Sequence, residues 1–356
     1  MGEKATATGV ATGAAGQPSP STGGVSRAQA DHRRRLAVVI ACSILAAASL
    51  IALVMVGLPD TVGSKAWNYT LDRLSRHAVA IVVVAVAVGV STVLFQTVTG
   101  NRILTPALMG FDSLYLLIQT MLIFFMVPRD AAIIGGLASG GLTGFLSQTA
   151  IMVVASTALY LWLLGGRRTD IHLLLLVGVV FGVFFRSISS FFQRLLDPAA
   201  YLQLQDVMFA SFRGVQLDVL IGCGVIVVLG LVVVALLGRR LDVMLLGRDP
   251  AIALGVNHRQ VTIIILVVVS FLVSASTALI GPVMFFGLIV ANAAYALLGT
   301  TLHRFTLPVA SLLGVIALAG GEMILGTLGV ESALSIVIEF VGGLLFLFLL
   351  LSNRAR

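Results

Sequence analysis

Charge is what this sequence has least of. Only 10% of its 356 residues are Asp, Glu, Lys or Arg, against roughly a quarter in a soluble domain. A chain so poor in charge cannot cover a water-facing surface, which excludes an ordinary soluble enzyme or binding module. Cysteine is nearly absent as well. Cys42 and Cys223 are the only two, and both lie inside apolar runs, which leaves them as small packing residues and excludes a disulfide framework or a Cys/His metal cluster. Lysine is almost missing: 20 of the 22 basic residues are arginine, a bias that has no bearing on mechanism. No nucleotide-binding loop is present. Gly63-Ser64-Lys65 in "GLPDTVGSK" has the wrong order for a phosphate loop and reads as a plain external turn. His77, His172, His258 and His303 are scattered and form no catalytic cluster.

Hydrocarbon fills the space that charge vacates. The chain is 59% hydrophobic with a mean hydropathy of +1.09. A bilayer core of about 30 Å needs roughly 20 apolar residues per helix. Ten such runs follow one another: about 36–57, 77–98, 108–127, 131–164, 171–193, 216–238, 260–280, 283–298, 306–325 and 334–352. The fold class is therefore all-α integral membrane, with about ten transmembrane helices. Residues 1–35 are rich in Gly, Ala, Ser, Thr and Pro and end in Arg33-Arg34-Arg35. That composition predicts a disordered tail, and the full-length apolar run after it predicts a retained helix, not a cleaved signal. The membrane domain is then 36–356.

Charge bias orients the threading. With the N-terminus inside, fifteen basic residues fall on cytoplasmic segments and six outside, and Arg186 falls within a span. That excess is the positive-inside pattern, and it places both termini and the loop 239–259 in the cytoplasm. Within this loop "LLGRDPAIALGVNHRQ" stands out among the aliphatic spans. Arg248 precedes Asp249, which suits an N-cap. Pro250 suits the first helical position. Ala251, Ile252, Ala253 and Leu254 form a short helical run, Gly255 can end it in the left-handed conformation, and Val256 follows. A helix this short is marginal alone in water. It either rests on lipid headgroups or docks on a partner.

The run "LLGRDPAIALGV" resembles the cytoplasmic loop of the FecCD family, the permeases of iron-siderophore, haem and cobalamin ABC importers. "RLSRHAVAIVVVAVAVGVSTVLFQTVTGNRILTPALMGFDSLYLL" is similar to another family stretch, with Arg73, Arg76, Gly89, Gln96, Asn101, Pro106 and Gly110 on the pattern. "GPVMFFGLIVANAAYALLG", carrying Gly281, Pro282 and Gly287, resembles a third, and "HRFTLPVASLLG" and "FVGGLLFLFLLL" follow the usual ending. The resemblance covers about residues 70–352. It implies the inverted-repeat architecture of type II, cobalamin-permease-like importers. A faint echo between "TPALMGFDSL" and "GPVMFFGLIV", on opposite faces, fits such a repeat.

The resemblance further implies that residues 248–256 are a coupling helix seated on a cytoplasmic ATPase subunit, which would hold the ATP and magnesium. This chain would need no cofactor or metal of its own. Arg73 and Arg76 would meet an extracytoplasmic binding protein, although snorkelling anchors would look the same. Gln96, Ser187, Ser189, Ser190 and Gln193 are candidates for an uncharged pathway lining. The implied function is translocation of an iron–siderophore complex across the bacterial cell membrane.

Departures from the family pattern are Ala291, Asn292 and Tyr295 in place of Pro-His…Arg, Gly326 four residues after Glu322, and Ser75 in place of proline. They favour a heterodimer with a second, non-identical permease over a homodimer. An ion-coupled secondary transporter is the rival class. It would need Glu322 or Glu339 as an essential intramembrane carboxylate, whereas helix packing or pairing is the plainer reading of both, as capping is of Asp112 and snorkelling of Arg186.

Overall fold

The computed structural model describes residues 22–58, 65–126, 141–164, 171–212, 214–328 and 334–354. The first twenty-one residues of the expected tail and the glycine-rich start of the fourth expected span lie outside the described residues. Among these residues thirteen α-helices follow in order: α1 (Thr22–Val56), α2 (Lys65–Thr99), α3 (Phe111–Met126), α4 (Leu142–Leu164), α5 (Ile171–Gln193), α6 (Pro198–Met208), α7 (Leu217–Leu237), α8 (Arg239–Met244), α9 (Arg248–Ala253), α10 (His258–Ile280), α11 (Phe286–Leu298), α12 (His303–Thr327) and α13 (Leu334–Arg354). A 3-10 turn, Pro106–Met109, leads into α3. Among the described residues seven helices are long and apolar enough to cross a bilayer, and stretches of α3, α11 and α13 are shorter apolar helices. Together these match the ten expected spans in number and order.

The differences have local causes. The expected disorder of residues 22–35 is corrected, because α1 already starts at Thr22. A span that is helical anyway supplies the costly nucleus, and the Arg, Ala and Gln residues before it extend the helix cheaply. Helix α6 was not expected. Its start is built by Asp197, whose carboxylate accepts from Ala200 N at 2.8 Å, with Pro198 in the first turn. Pro282 lies outside α11, which starts only at Phe286. It sits in the turn 281–285, after Gly281 at φ 98°. A Cβ on Gly281 would lie 3.3 Å from the Ala210 Cα, so this turn packs directly on the segment after α6.

At 13 residues α11 is about 20 Å long, too short to span alone. The irregular backbone before it is tolerated because Gly281 and Val283 are buried in protein. The turn before α3 obeys the same rule, packing on Gly178 and Gly182 in the middle of α5.

Helix α2 is the axis of the molecule. One apolar cluster joins Leu94 and Phe95 to residues of α3, α4, α7 and α10. A second joins Ile81 and Val84 to residues of α1, α11, α12 and α13. Lipid is as apolar as leucine, so close packing rather than water expulsion holds such helices together. The α2–α12 crossing uses small residues for this. A Cβ on Gly89 would lie 3.2 Å from the Ala310 carbonyl carbon, and one on Gly314 would lie 3.0 Å from the Ala85 Cβ.

Candidate functional site

The segment 238–258 is two short helices, not one. Helix α8 is set into the body of the protein by Leu241 and Met244, 1% and 3% exposed. Gly247, at φ 94° and ψ 175°, then starts α9. This corrects the expected role of Asp249. The helix begins one residue earlier, at Arg248, with Gly247 as N-cap and no side-chain cap. Asp249 lies in the first turn, where its charge still complements the helix dipole. The expected ending holds in detail. Gly255 N donates to Ile252 O at 2.9 Å and Val256 N to Ala251 O at 3.0 Å, a Schellman closure with Gly255 at φ 82°. Ala251 is fully buried, while Ile252 and Leu254 are 51% and 63% exposed. So α9 is fixed by its small residue and presents its large apolar ones outwards, with Arg248, Asp249 and Pro250 beside them.

Beside this segment, the end of α2 is tied to its neighbours by polar groups. Asp242 of α8 accepts from the backbone N of His303 at 2.9 Å, and the same oxygen lies 2.8 Å from the ring Nδ1. The ring's other nitrogen shares a 2.8 Å hydrogen bond with the Thr97 hydroxyl of α2. A second knot centres on the carbonyl of Arg102. Gln96 donates to it at 2.7 Å and Asn292 at 3.0 Å, while the Arg102 guanidinium lies over the Tyr295 ring at 5.1 Å. Asn292 and Tyr295, which break the family signature in sequence, are therefore paired with Arg102 in space. Asn101 accepts from Ile103 N at 2.9 Å and shapes the same turn.

A groove opens along α5, lined by Ala107, Gly110, Ser113, Arg186, Ser187, Ser190 and Arg194 among others, with a cavity volume near 730 Å³. Of the serines and glutamines expected to line a pathway, the groove exposes Ser187 and Ser190. The other three are turned into the packing, which corrects that expectation. Ser189 is fully buried and bonds Thr120 at 2.7 Å, joining α5 to α3. Gln193 donates to the same pair, and Gln96 serves the Arg102 knot. Helical periodicity separates them, since successive serines in "SISS" point to different faces. Gly110, at φ 91°, lets the start of α3 touch α5, because a Cβ there would lie 2.8 Å from the Gly182 Cα. At Gly287 a Cβ would lie 2.0 Å from the Thr92 hydroxyl, so this glycine seats α11 on α2.

A second cavity of about 750 Å³ is lined by Arg73, Arg76, His77, Phe212, Glu322 and Gly326 among others. Arg76 is held by Asp72, one turn earlier. His77 stacks on Phe212 and lies 4.0 Å from Glu322. The carboxylate of Glu322 thus belongs to a polar rim, as pairing predicts. Asp112 is buried in the first turn of α3, Arg186 faces the groove and Glu339 is exposed on α13.

Sequence reading missed Asp242, Thr97 and the Arg102 carbonyl, and took His303 only as a scattered histidine. The available signal was a lone acid in "RRLDVMLL" and a histidine at the start of an apolar run.

Comparison with known proteins agrees with this geometry. The sequence profile described as the FecCD transport family matches residues 35–352. The petrobactin import system permease protein YclO of Bacillus subtilis is 40% identical over 305 residues, covering 85% of this chain and 95% of the relative. The petrobactin import system permease protein FatC of Bacillus anthracis is 34% identical over 334 residues, covering 92% of each. In structure, a metal-chelate type ABC transporter in an inward-facing conformation superposes with a TM-score of 0.71 at 20% identity, covering 89% of this chain and 99% of that one. At that identity the likeness establishes the fold.

Proposed function

The chain belongs to the FecCD transport family, and on that premise we propose that it is the membrane-spanning permease subunit of an ABC importer for a ferric siderophore of the petrobactin kind. The observation that carries this reading is the match to siderophore permeases over nearly the whole membrane domain. The exposed apolar side chains of Ile252 and Leu254, on a segment anchored by the buried Leu241, Met244 and Ala251, support an ATPase docking site there. ATP and magnesium would be bound by that separate subunit, and this chain would perform no covalent chemistry.

The charge bias supports cytoplasmic termini and a cytoplasmic α8–α9 segment. The arginine-rimmed cavity then faces outwards, where a binding protein delivers the chelate. The groove along α5 is open on one side and needs a second permease to close it. Gly326 leaves the outer cavity without a basic group on that helix, which favours a non-identical partner sharing the docking contacts.

The test is uptake of radioactive ferric petrobactin into proteoliposomes holding the permease pair, the ATPase subunits and the binding protein. Uptake is expected to require ATP and to proceed without an ion gradient. Accumulation driven by a proton or sodium gradient without ATPase subunits would overturn the proposal.

Arg73 makes no ion pair among the described residues, whereas Arg76 is already held by Asp72. Arg73→Glu is therefore expected to slow binding-protein association several-fold and to flatten its salt dependence, because rim charges act mainly on encounter. Arg76→Glu should have the smaller effect. Stopped-flow association at two ionic strengths reads both.

A further inference from the structure

Coupling requires more than a docking helix, because the force received at α9 has to reach the helices that line the transport route. The covalent path runs from α9 through the Asn257-capped start of α10. The polar chain from Asp242 through His303 to Thr97 is a second, non-covalent path. We propose that Asp242 and His303 are positioning residues that join the coupling segment to the α2–α12 helix pair, so that movement of α8 and α9 is delivered as movement of that pair. This rests on the reading of α9 as the ATPase-docking helix.

Several features set this chain apart from an ordinary helix cap. One carboxylate oxygen of Asp242 takes two groups of the same residue, backbone N at 2.9 Å and ring Nδ1 at 2.8 Å. The start of α12 is thereby fixed in both position and ring orientation. No residue of α12's own N-terminus performs this task, since Leu302 has no side-chain cap. The carboxylate side chain is 31% exposed and the histidine 4%, so the link runs from the coupling surface into the protein interior. It ends on α2, which also packs on α12 along its length, most tightly at the close crossing of Gly89 and Gly314. The two helices are therefore held together as a unit, and α8 grips that unit at its end.

Leu241 and Met244 bury α8 on either side of Asp242. The short helix thus has little freedom to move without carrying Asp242 along. Hydrogen bonds in a low-dielectric interior are stiff and directional, and they have discrete made and broken states. That property suits a transmitting contact. The residues it joins are 61 and 206 positions apart in sequence, which explains why no local motif announces it.

The experiment uses the full complex in proteoliposomes, with ferric petrobactin as probe cargo, and reads three quantities: ATPase subunits retained, ATP hydrolysed, and chelate imported per ATP. Asp242→Ala, His303→Ala and Thr97→Val are compared with Asp242→Asn and Thr97→Ser, which keep an acceptor and a hydroxyl. The expected result is retained ATPase subunits and continued hydrolysis, with import per ATP reduced about tenfold in the first set, as suits loss of a buried hydrogen bond to a charged group. The conservative set should stay within about twofold of wild type.

Unchanged import per ATP in the first set would overturn the proposal and leave the α10 path as sufficient. A parallel fall of import and hydrolysis in Thr97→Val, the least disruptive change, would also overturn it and reduce the chain to a structural cap. The docking reading fails separately, if variants on the outer face of α9 retain normal ATPase binding.

Discussion

Replacing Ile252 and Leu254 together with aspartate is expected to abolish ATP-dependent uptake while the permease still reaches the membrane at its normal level. Both side chains are more than half exposed, so folding loses little when they become polar. An apolar pair on a loop of this kind gains its stabilisation only when a partner covers it. Burying the exposed part of each is worth about 1–2 kcal/mol, so losing both weakens docking by roughly one to three orders of magnitude. Two uncompensated carboxylates in the interface add to that loss. Co-purification of the ATPase subunits and chelate uptake measure the effect. Normal uptake by this variant would remove α9 from the coupling path. Asp249→Lys alone is expected to do far less, because Asp249 sits in the first turn and caps nothing.

Gly110→Val is expected to have the largest effect on stability. Its Cβ would lie 2.8 Å from the Cα and 3.0 Å from the N of Gly182, and backbone atoms cannot turn aside as a flexible side chain can. The residue also sits at φ 91°, which a β-branched residue resists. Overpacking and left-handed strain together cost about 3 kcal/mol or more. Thermal unfolding in detergent should therefore fall by several degrees and membrane levels should drop. Gly100→Asn is the matched control. That site also has positive φ, at 61°, but an added Cβ meets nothing within 4 Å, and asparagine tolerates the conformation. Equal melting of Gly110→Val and wild type would show that α3 and α5 do not pack as described.

Much of the fold was legible from the chain, for identifiable reasons. A membrane span is a local sum of hydropathy over about 20 residues, so α5, α7 and α13 fall within a few residues of the expected ranges. The close of α9 was legible because a glycine after an apolar run has one common use. Its start was not, because Asp249 and Gly247 can both begin a helix and only the backbone path decides between them. Helix α6 escaped because its 11 residues are too few and too mixed in polarity for a hydropathy window.

The site was less legible than the fold. Ser187, Ser189 and Ser190 are equivalent as letters, yet the structure gives two to the groove and one to Thr120. Asn292 looked like the loss of a signature residue until Arg102, 190 positions away, appeared as its partner.

By itself the sequence determined that this protein lives in a bilayer, that about ten apolar helical runs follow one another and where a short helix closed by glycine interrupts them. Each of those follows from energies that add up over neighbouring residues. Only the tertiary structure decided which polar side chains face the groove, why Gly110 and Gly287 must be glycine, and how Asp242 reaches Thr97 through His303. Those outcomes depend on which helices become neighbours, a choice made by close packing among surfaces that look alike in hydropathy.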